Sequence, residues 1–234
     1  KGSAQDIDDF IYLISHDVRA SVRALLELPQ WIAEDLEEAG IKVEGSVAQS
    51  IDLMNRHTGR LDRMLVDLLT YSRIGRMQDQ CRVDFAAALE EGCETLQLPA
   101  GFRVTQDIEC GPILIGERDI LTLLTALLSN AVKHHDKDHG HIVVTATERD
   151  GLVHLSVCDN GPGIDADMYP RIFGAMTTLR PRDEVEGSGM GLANVRKIAE
   201  IYGGEARVGP SVYGRGCMFE ITLDSRGAPV ESAA

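Results

Sequence analysis

Apolar residues in the first third of the chain recur every three or four positions. This spacing predicts two helices within residues 5–76, joined by a short turn between Gly40 and Gly45. The first stripe comprises Ile7, Ile11, Ile14, Val18, Val22, Leu25, Pro29, Ile32 and Leu36, and the second Val47, Ile51, Met54, Thr58, Leu61, Leu65, Leu68 and Ser72. An antiparallel helical hairpin of this kind has an apolar seam with little to cover it. We therefore predict a dimeric four-helix bundle, the alternative being that residues 81–234 cover the seam.

The hydrophobic period changes after residue 80. Strands are predicted at 83–85, 102–108, 141–148, 152–159 and 217–223, and helices at 90–97, 117–135 and 191–202. The mixture predicts an α/β sandwich over residues 81–225, so the fold class is α followed by α/β. Residues 75–80 are polar and are expected to form a hinge, and residues 226–234 are expected to form a disordered tail.

Charge and cysteine content narrow the class of partner. The formal net charge is −14 at pH 7, from 23 basic and 37 acidic residues. No basic stripe is present that could release counterions from DNA, which argues against nucleic acid. The five cysteines are widely spaced and form no CxxC pair, as is typical of packing residues in a reduced cytosolic compartment. No apolar run resembles a signal peptide or a transmembrane helix, so we expect this fragment to be cytoplasmic.

The first chemical motif follows a predicted strand. Asp159 ends that strand, and Gly161, Gly163 and Ile164 come after it. Glycines at this spacing let the backbone approach a flat ligand closely, and the carboxylate can accept a hydrogen bond from an exocyclic amine. The alternative interpretation is an ordinary Asp-Asn-Gly turn.

A second glycine motif opens the helix predicted at 191–202. It contains Gly187, Gly189 and Gly191, followed by Leu192. The amino end of a helix offers unpaired N–H groups and partial positive charge, which suit a phosphate. The spacing matches neither the P-loop nor the dinucleotide-binding fingerprint.

The third motif lies near the end of the helix predicted at 117–135. Asn130, Lys133 and His134 occupy positions i, i+3 and i+4, so they share one helical face. An amide oxygen can ligate Mg²⁺, and a cation can contact phosphate oxygens. The alternative is a solvated helix face.

Taken in their order along the chain, the three motifs resemble those of the two-component sensor histidine kinases. The similar segments are 130–133 for the N box, 159–163 and 187–191 for the two glycine boxes, and 171–173 for the F box. The resemblance implies the Bergerat ATP-binding fold, in which Asp159 would recognise the adenine amine. Asn130 would hold Mg²⁺, and Lys133 and His134 would approach the phosphates.

The resemblance also implies an ATP lid over residues 174–190, with Arg180 and Arg182 as candidate phosphate contacts. Met176 stands where the F box usually has a second aromatic residue. Because methionine also packs well, we expect altered seating of the lid with ATP binding retained.

A histidine that accepts the phosphoryl group should lie upstream of such a domain. Ser15, His16 and Asp17 resemble the family's H box. His16 lies between Ile14 and Val18 of the apolar stripe, so we expect it to face solvent. Asp17 can accept a proton from one imidazole nitrogen and so act as acid or base, leaving the other nitrogen free to attack. The alternative is an incidental surface histidine.

The H box departs from the family pattern at two positions. Ser21 replaces a common proline, while Pro29 follows eight residues later, where a bend is expected. Ala20 stands where phosphatase-active relatives commonly have Thr or Asn, whose side chain orients the attacking water. We therefore expect weak phosphatase activity.

Histidines and aspartates are also concentrated between residues 134 and 141. They are His134, His135, His139 and His141, with Asp136 and Asp138. A structural metal is the alternative interpretation, but the ligands have no regular helical or strand spacing.

The sequence thus predicts the cytoplasmic core of a sensor histidine kinase that uses ATP and Mg²⁺ to phosphorylate His16. The expected partners are a second copy of the chain and the receiver domain of a response regulator, with the sensory domain outside this sequence. Regulator contacts are expected near Arg19, Arg23, Arg63 and Val66. Two alternatives remain open: a phosphotransfer scaffold with a non-catalytic nucleotide pocket, and an ATPase or serine kinase in which His16 is incidental.

Overall fold

The computed structural model describes residues 2–76, 78–177 and 188–228, with side chains from residue 9 onward. The chain divides into two compact units, Lys1–Arg73 and Ile74–Ala234. The division falls three residues before the predicted end of the first domain at residue 76.

The first unit is a hairpin of two long helices, α1 (Gly2–Glu38) and α2 (Gly45–Arg73). Gly40 and Gly45 bound the turn between them with φ values of 73° and 62°, a backbone conformation that glycine adopts at little cost. The helices are antiparallel. Tyr12 near the start of α1 packs against the Arg73 guanidinium at the end of α2, with 5.5 Å between the guanidinium carbon and the ring centroid.

The hairpin carries two apolar stripes where the sequence suggested one seam. Val22, Leu65 and Leu69 are buried between the helices. A second stripe lies beside the buried one, and its side chains are 39–45% exposed. It consists of Ile14, Val18, Leu25 and Ile32 on α1 and Val47, Met54 and Leu61 on α2. The predicted seam mixed residues of both stripes because positions three and four apart fall on slightly different helical faces.

The described residues of the second unit form three α-helices, a short 3₁₀-helix (Ala166–Met168) and two sheets. The helices are α3 (Phe85–Leu96), α4 (Glu117–Lys133) and α5 (Gly191–Ile201). The strands are β1 (Cys81–Val83), β2 (Phe102–Glu109), β3 (Ile113–Ile115), β4 (Gly140–Arg149), β5 (Leu152–Asp159), β6 (Ala206–Pro210) and β7 (Cys217–Asp224). The main sheet has the order β2-β4-β5-β7-β6, with β2 and β4 parallel and the other pairs antiparallel. Strands β1 and β3 form a separate antiparallel pair.

One face of the main sheet is apolar and lies in the core. Val144, Leu155 and Phe219 are at most 1% exposed, and they belong to the same buried cluster as Leu124 and Leu127 of α4. The opposite face is polar, and the hydroxyl oxygens of Thr145 and Ser156 lie 2.8 Å apart on it. This arrangement confirms the predicted α/β sandwich.

Four elements differ clearly from the predicted ones. Strand β1 spans Cys81–Val83 instead of 83–85, because Phe85 already begins α3. Helix α3 begins at Phe85, five residues before the predicted start, because the Asp84 carboxylate caps it by accepting the Ala87 N–H at 2.9 Å. Strands β3 and β6 were not predicted. The first has only three residues, and the second contains Gly209 and Pro210, which weaken a strand pattern.

The segment predicted to be a hinge is bound to the second unit. Ile74 is 2% exposed within the core. The Gly75 N–H donates to Asp119 Oδ2 at 2.9 Å, and the Tyr202 hydroxyl donates to the same oxygen at 2.8 Å. The Gly116 N–H in turn donates to the Tyr202 hydroxyl at 3.0 Å. These bonds join the start of α4, the end of α5 and the segment that follows α2.

The electrostatics of this cluster follow from its burial. Asp119 is 2% exposed, and burial raises the pKa of its carboxyl group against the opposing effect of its hydrogen bonds. Burial, with the Asp119 charge as the next cause, raises the pKa of the Tyr202 hydroxyl. The hydroxyl therefore remains a hydrogen-bond donor to the carboxylate at neutral pH.

Candidate functional site

Strand β5 ends at Asp159, whose residue is nearly buried at 6% exposure. Its Oδ1 accepts the Gly161 N–H at 2.8 Å and the Cys217 N–H at 3.4 Å. Its Oδ2 accepts the Cys217 thiol at 3.1 Å. A carboxylate has about four acceptor positions, so these three donors leave one for a ligand N–H. Such a group suits the exocyclic amine of an adenine.

Cys217, which was expected only to pack, contacts the Asp159 carboxylate. Burial, followed by the charge of Asp159, raises the pKa of its thiol, which therefore stays protonated and donates to the carboxylate. Cys158 pairs with Met218 across β5 and β7, so the next position sets Asp159 opposite Cys217. Only this strand register reveals the contact, because the two residues are far apart in sequence.

Two glycines near the site have backbone conformations that other residues rarely adopt. Gly163 has φ of 82°, and a Cβ there would stand 3.2 Å from the Gly216 carbonyl oxygen. Gly189 has φ of 76°, and a Cβ there would stand 2.6 Å from the Thr177 carbonyl oxygen. A Cβ at position 189 would collide with the backbone opposite, and one at position 163 would make a tight contact in a strained backbone conformation. Ile164, which follows Gly163, packs against the core.

The third motif lies at the end of α4. Asn130 is half-buried in the last turn, and Lys133 is exposed. His134 caps the helix, and its N–H donates to the Asn130 carbonyl at 3.1 Å. An amide oxygen and a cation therefore lie within one turn, which suits a metal–phosphate group.

Helix α5 begins at Gly191 without a side-chain cap and without an acidic residue in its first turn. Its first N–H groups are therefore suited to an anion. Leu192 packs against the core. Gly187 and the candidate lid residues Arg180 and Arg182 lie outside the described residues.

The F-box segment fits the core in part. Ile172 is 3% exposed, and the Phe173 ring meets Phe219 edge-on with 6.3 Å between centroids. Met176 is 38% exposed and has φ of 58°. Met176 is therefore only partly covered, and altered seating of the lid stays a prediction.

No structural metal site is found in the described ranges, where no three His, Cys, Asp or Glu side chains are grouped to hold an ion. Three histidines of the segment 134–141 form hydrogen-bonding contacts with other side chains. His135, His139 and His141 contact Asn160, Asp138 and Thr105, respectively.

His16 in the first unit is 72% exposed, as expected for a group that must meet a second molecule. Its Nδ1 lies 3.3 Å from Asp17 Oδ1. Because an ionised carboxylate only accepts, this pairing puts the proton on Nδ1 and leaves a lone pair on Nε2. Arg19, expected to be exposed, lies instead 3.5 Å (Nε to Oδ1) from Asp62 across the hairpin.

Comparisons with known proteins agree with this arrangement. Residues 116–227 match the family described as "Histidine kinase-, DNA gyrase B-, and HSP90-like ATPase". The chain is 28% identical over 224 residues to the methanogenesis regulatory histidine kinase FilI of Methanothrix harundinacea, covering 93% of the chain and 24% of that protein. It is 29% identical over 215 residues to the sensor histidine kinase ZraS of Escherichia coli K12, covering 90% and 44%.

Solved histidine kinase structures share the fold. Full-length ShkA in complex with AMPPNP has a TM-score of 0.69 at 24% identity, covering 96% of this chain and 48% of that one. Acinetobacter baumannii AdeS has a TM-score of 0.60 at 19% identity, covering 88% and 97%. The chain thus spans less than half the length of the curated relatives named above.

Residues 116–227 therefore form an ATP-binding domain of the histidine kinase, gyrase B and HSP90 type. Over most of its length the chain is similar to sensor histidine kinases. The comparisons thus agree with the resemblance and with the Bergerat fold predicted from the motifs. Among the helices described, none is long and apolar enough to cross a membrane.

The thiol bond to Asp159 gives a testable prediction. In Cys217→Ala, Asp159 loses a donor, which we expect to weaken ATP affinity about fivefold, corresponding to roughly 1 kcal/mol. Cys217→Ser keeps a donor and should bind nearly as wild type. Isothermal titration with a non-hydrolysable ATP analogue measures the change.

Cys93→Ala is the matched control, since Cys93 is a half-buried thiol on α3 away from Asp159. Equal affinities for Cys217→Ala and Cys93→Ala would contradict a role for the thiol.

Proposed function

We propose that this chain is the catalytic core of a sensor histidine kinase that transfers the γ-phosphoryl group of ATP to His16. The phosphoryl group then passes to an aspartate in the receiver domain of a response regulator. The observation that carries the proposal is the exposed His16 paired to Asp17, in a chain that also contains an ATP-binding domain. A scaffold with a non-catalytic pocket is not favoured, since the relatives are named as kinases. We place the reaction in the cytoplasm.

The protein groups around His16 assist the transfer mainly by positioning the reactants and neutralising charge. Asp17 accepts a hydrogen bond from the Nδ1–H group, which leaves the Nε2 lone pair free to attack. A bond forms between Nε2 and the γ-phosphorus while the bond from that phosphorus to the bridging oxygen breaks, and ADP leaves. The Nδ1 proton stays beside Asp17, whose charge stabilises the positive imidazole. Positioning and charge neutralisation supply most of the rate.

The ATP-binding domain supplies the second substrate. Asp159 would accept the adenine amine, with Gly161, Gly163 and Ile164 beside it, and Asn130 would hold Mg²⁺ through its amide oxygen. The phosphates would be contacted by Lys133, His134 and the amino end of α5 with Gly187, Gly189, Gly191 and Leu192. Mg²⁺ supplies neutralisation of the phosphate charge when bound.

We also propose that the first unit forms a homodimer through the exposed apolar stripe of α1 and α2. The stripe carries seven large apolar side chains at 39–45% exposure, and a four-helix bundle would bury them. Exposed apolar faces of this length favour association.

A charge placed in the stripe should dissociate the dimer. We expect Leu25→Glu to shift the chain toward monomer by at least tenfold in the dissociation constant, because a buried unpaired charge is costly. Sedimentation equilibrium measures this shift. Gln30→Glu introduces the same charge on an exposed position off the stripe and should leave the dimer intact. A wild-type chain that is monomeric at micromolar concentration would contradict the dimer.

The phosphorylation site is tested with γ-labelled ATP and Mg²⁺. Wild type should incorporate acid-labile, alkali-stable label, and His16→Gln should incorporate none, because the amide has no nucleophilic nitrogen. His57→Gln, at another exposed histidine of the hairpin, is the matched control and should be labelled as wild type.

Other outcomes identify the alternatives. Acid-stable label that persists in His16→Gln would indicate a serine kinase, and release of phosphate without label would indicate an ATPase. Absence of ATP binding would favour the scaffold.

The proposal includes weak dephosphorylation of the response regulator. Ala20 is exposed one turn after His16, and its methyl group cannot orient a water molecule. Label on a phosphorylated receiver domain should therefore decay at nearly the spontaneous rate when the chain and ADP are added. Ala20→Thr should accelerate the decay severalfold, and Ser21→Thr, about 100° round the helix, should not. Rapid decay with wild type would contradict this part of the proposal.

A further inference from the structure

His135 lies just beyond α4 and has no part in the reaction proposed above. Its side chain is only 2% exposed. The imidazole ring meets the Phe102 ring edge-on, with 5.3 Å between centroids. A buried imidazole must have its nitrogens paired, so its partners show what it does.

Two backbone donors fix the tautomer of His135. The Lys137 N–H donates to Nδ1 at 3.1 Å, so Nδ1 carries a lone pair. The His141 N–H donates to Asn160 Oδ1 at 2.8 Å, which identifies that atom as the carbonyl oxygen. His135 Nε2 lies 3.2 Å from the same oxygen. Because that oxygen can only accept, Nε2 carries the proton. Asp136 Oδ1 lies 3.6 Å from Nδ1, which is too far for a hydrogen bond.

The bond from His135 joins two segments of the nucleotide site. Asn160 stands between Asp159 and Gly161, whose N–H donates to the Asp159 carboxylate. His135 follows the last turn of α4, which carries Asn130. The imidazole thus links the turn after Asp159 to the end of α4.

A second side chain secures the same turn. Arg215 Nη1 donates to the Asn160 carbonyl at 3.4 Å, and Arg215 Nη2 is paired with the Asp136 carboxylate. Asn160 is therefore bound at two points. Its side chain bonds to His135 and His141, and its backbone carbonyl bonds to Arg215. The hydrogen bond from Arg215 lowers the pKa of the Asp136 carboxyl group, so this partner stays ionised.

We propose that His135 is a positioning residue for nucleotide binding, which orients the Asp159–Gly161 turn relative to the end of α4 through its Nε2–H bond to Asn160. This inference rests on the proposed ATP-dependent function. It assigns a role to a histidine that would otherwise be a packing residue. The effect falls on ground-state recognition of the adenine, because His135 contacts neither reacting atom.

Loss of this hydrogen bond should change KM for ATP more than kcat. Loosening the turn should weaken the acceptance of the adenine amine by Asp159 equally in the ground and transition states. KM for ATP then rises while kcat changes little. Discrimination against GTP should fall as well, since guanine has a carbonyl where adenine has the amine.

The test compares two substitutions at one position in the full chain. His135→Phe keeps the aromatic packing against Phe102 and removes both nitrogen bonds, so KM for ATP in His16 labelling should rise about tenfold. His135→Gln offers a donor for Asn160 and an acceptor for the Lys137 N–H, and should restore KM to within about threefold of wild type. His139→Gln is the matched control, because His139 lies in the same segment but is 67% exposed.

The outcomes separate this inference from the proposed function. A wild-type chain without ATP binding would overturn both. A wild type that labels His16, together with His135→Phe at wild-type KM and GTP discrimination, would overturn only the positioning role. Equal losses in kcat for the Phe and Gln variants would do the same, since they would indicate general damage to the fold.

A spectroscopic readout covers the case in which His135→Phe fails to fold. In ¹⁵N-histidine-labelled wild type at neutral pH, the imidazole resonances assigned to His135 should show a proton on Nε2 and none on Nδ1. A ring protonated on Nδ1 would overturn the assigned tautomer and with it the bond to Asn160.

Discussion

The packing of α4 on the apolar face of the five-stranded sheet is the constraint on which the second unit depends. Ile120, Leu123, Leu124, Leu127 and Leu128 are all 0% exposed, so most of the first four turns is fixed by the core. Close-packed interiors leave little room for a helix to slide. Asn130 follows this buried stretch on the helix, and Asp159 ends a strand of the sheet beneath it. The core therefore sets the approximate distance between Asn130 and Asp159, the two ends of the proposed nucleotide site.

Polar bonds then define both ends of α4. At its start, Asp119 accepts the Tyr202 hydroxyl and the Gly75 N–H, so the helix is joined to the end of α5. At its end, His135 donates to Asn160 and joins the helix to the end of β5. Apolar contact has no directional preference, whereas a buried hydrogen bond fails if its geometry changes. The core thus brings the helices and strands together, and the buried polar pairs fix their relative positions.

The parts of this protein that the sequence predicted are those encoded locally. The glycine motifs, the long periodic helices and the strand ending at Asp159 each occupy one continuous segment, so spacing alone predicts them. Cys217 beside Asp159 and His135 beside Asn160 depend on strand register and on a loop path that no local pattern encodes. The hydrogen bond from Gly75 to Asp119 was missed for the same reason, and the polar residues after Gly75 suggested a hinge. Short strands such as β3 are stabilised by their partner strand rather than by their own residues.

The two units differ in how completely they bury their apolar side chains. The second unit encloses a large apolar cluster of its own, while the hairpin leaves a stripe of apolar side chains uncovered. At about 100° per residue, Ile14, Val18, Leu25 and Ile32 all lie about 160° or more round α1 from His16. A partner that covers the stripe therefore approaches from the side of α1 opposite the histidine. The heptad pattern can thus favour association and keep the nucleophile in solvent at the same time, because one helix presents the two functions on opposite faces.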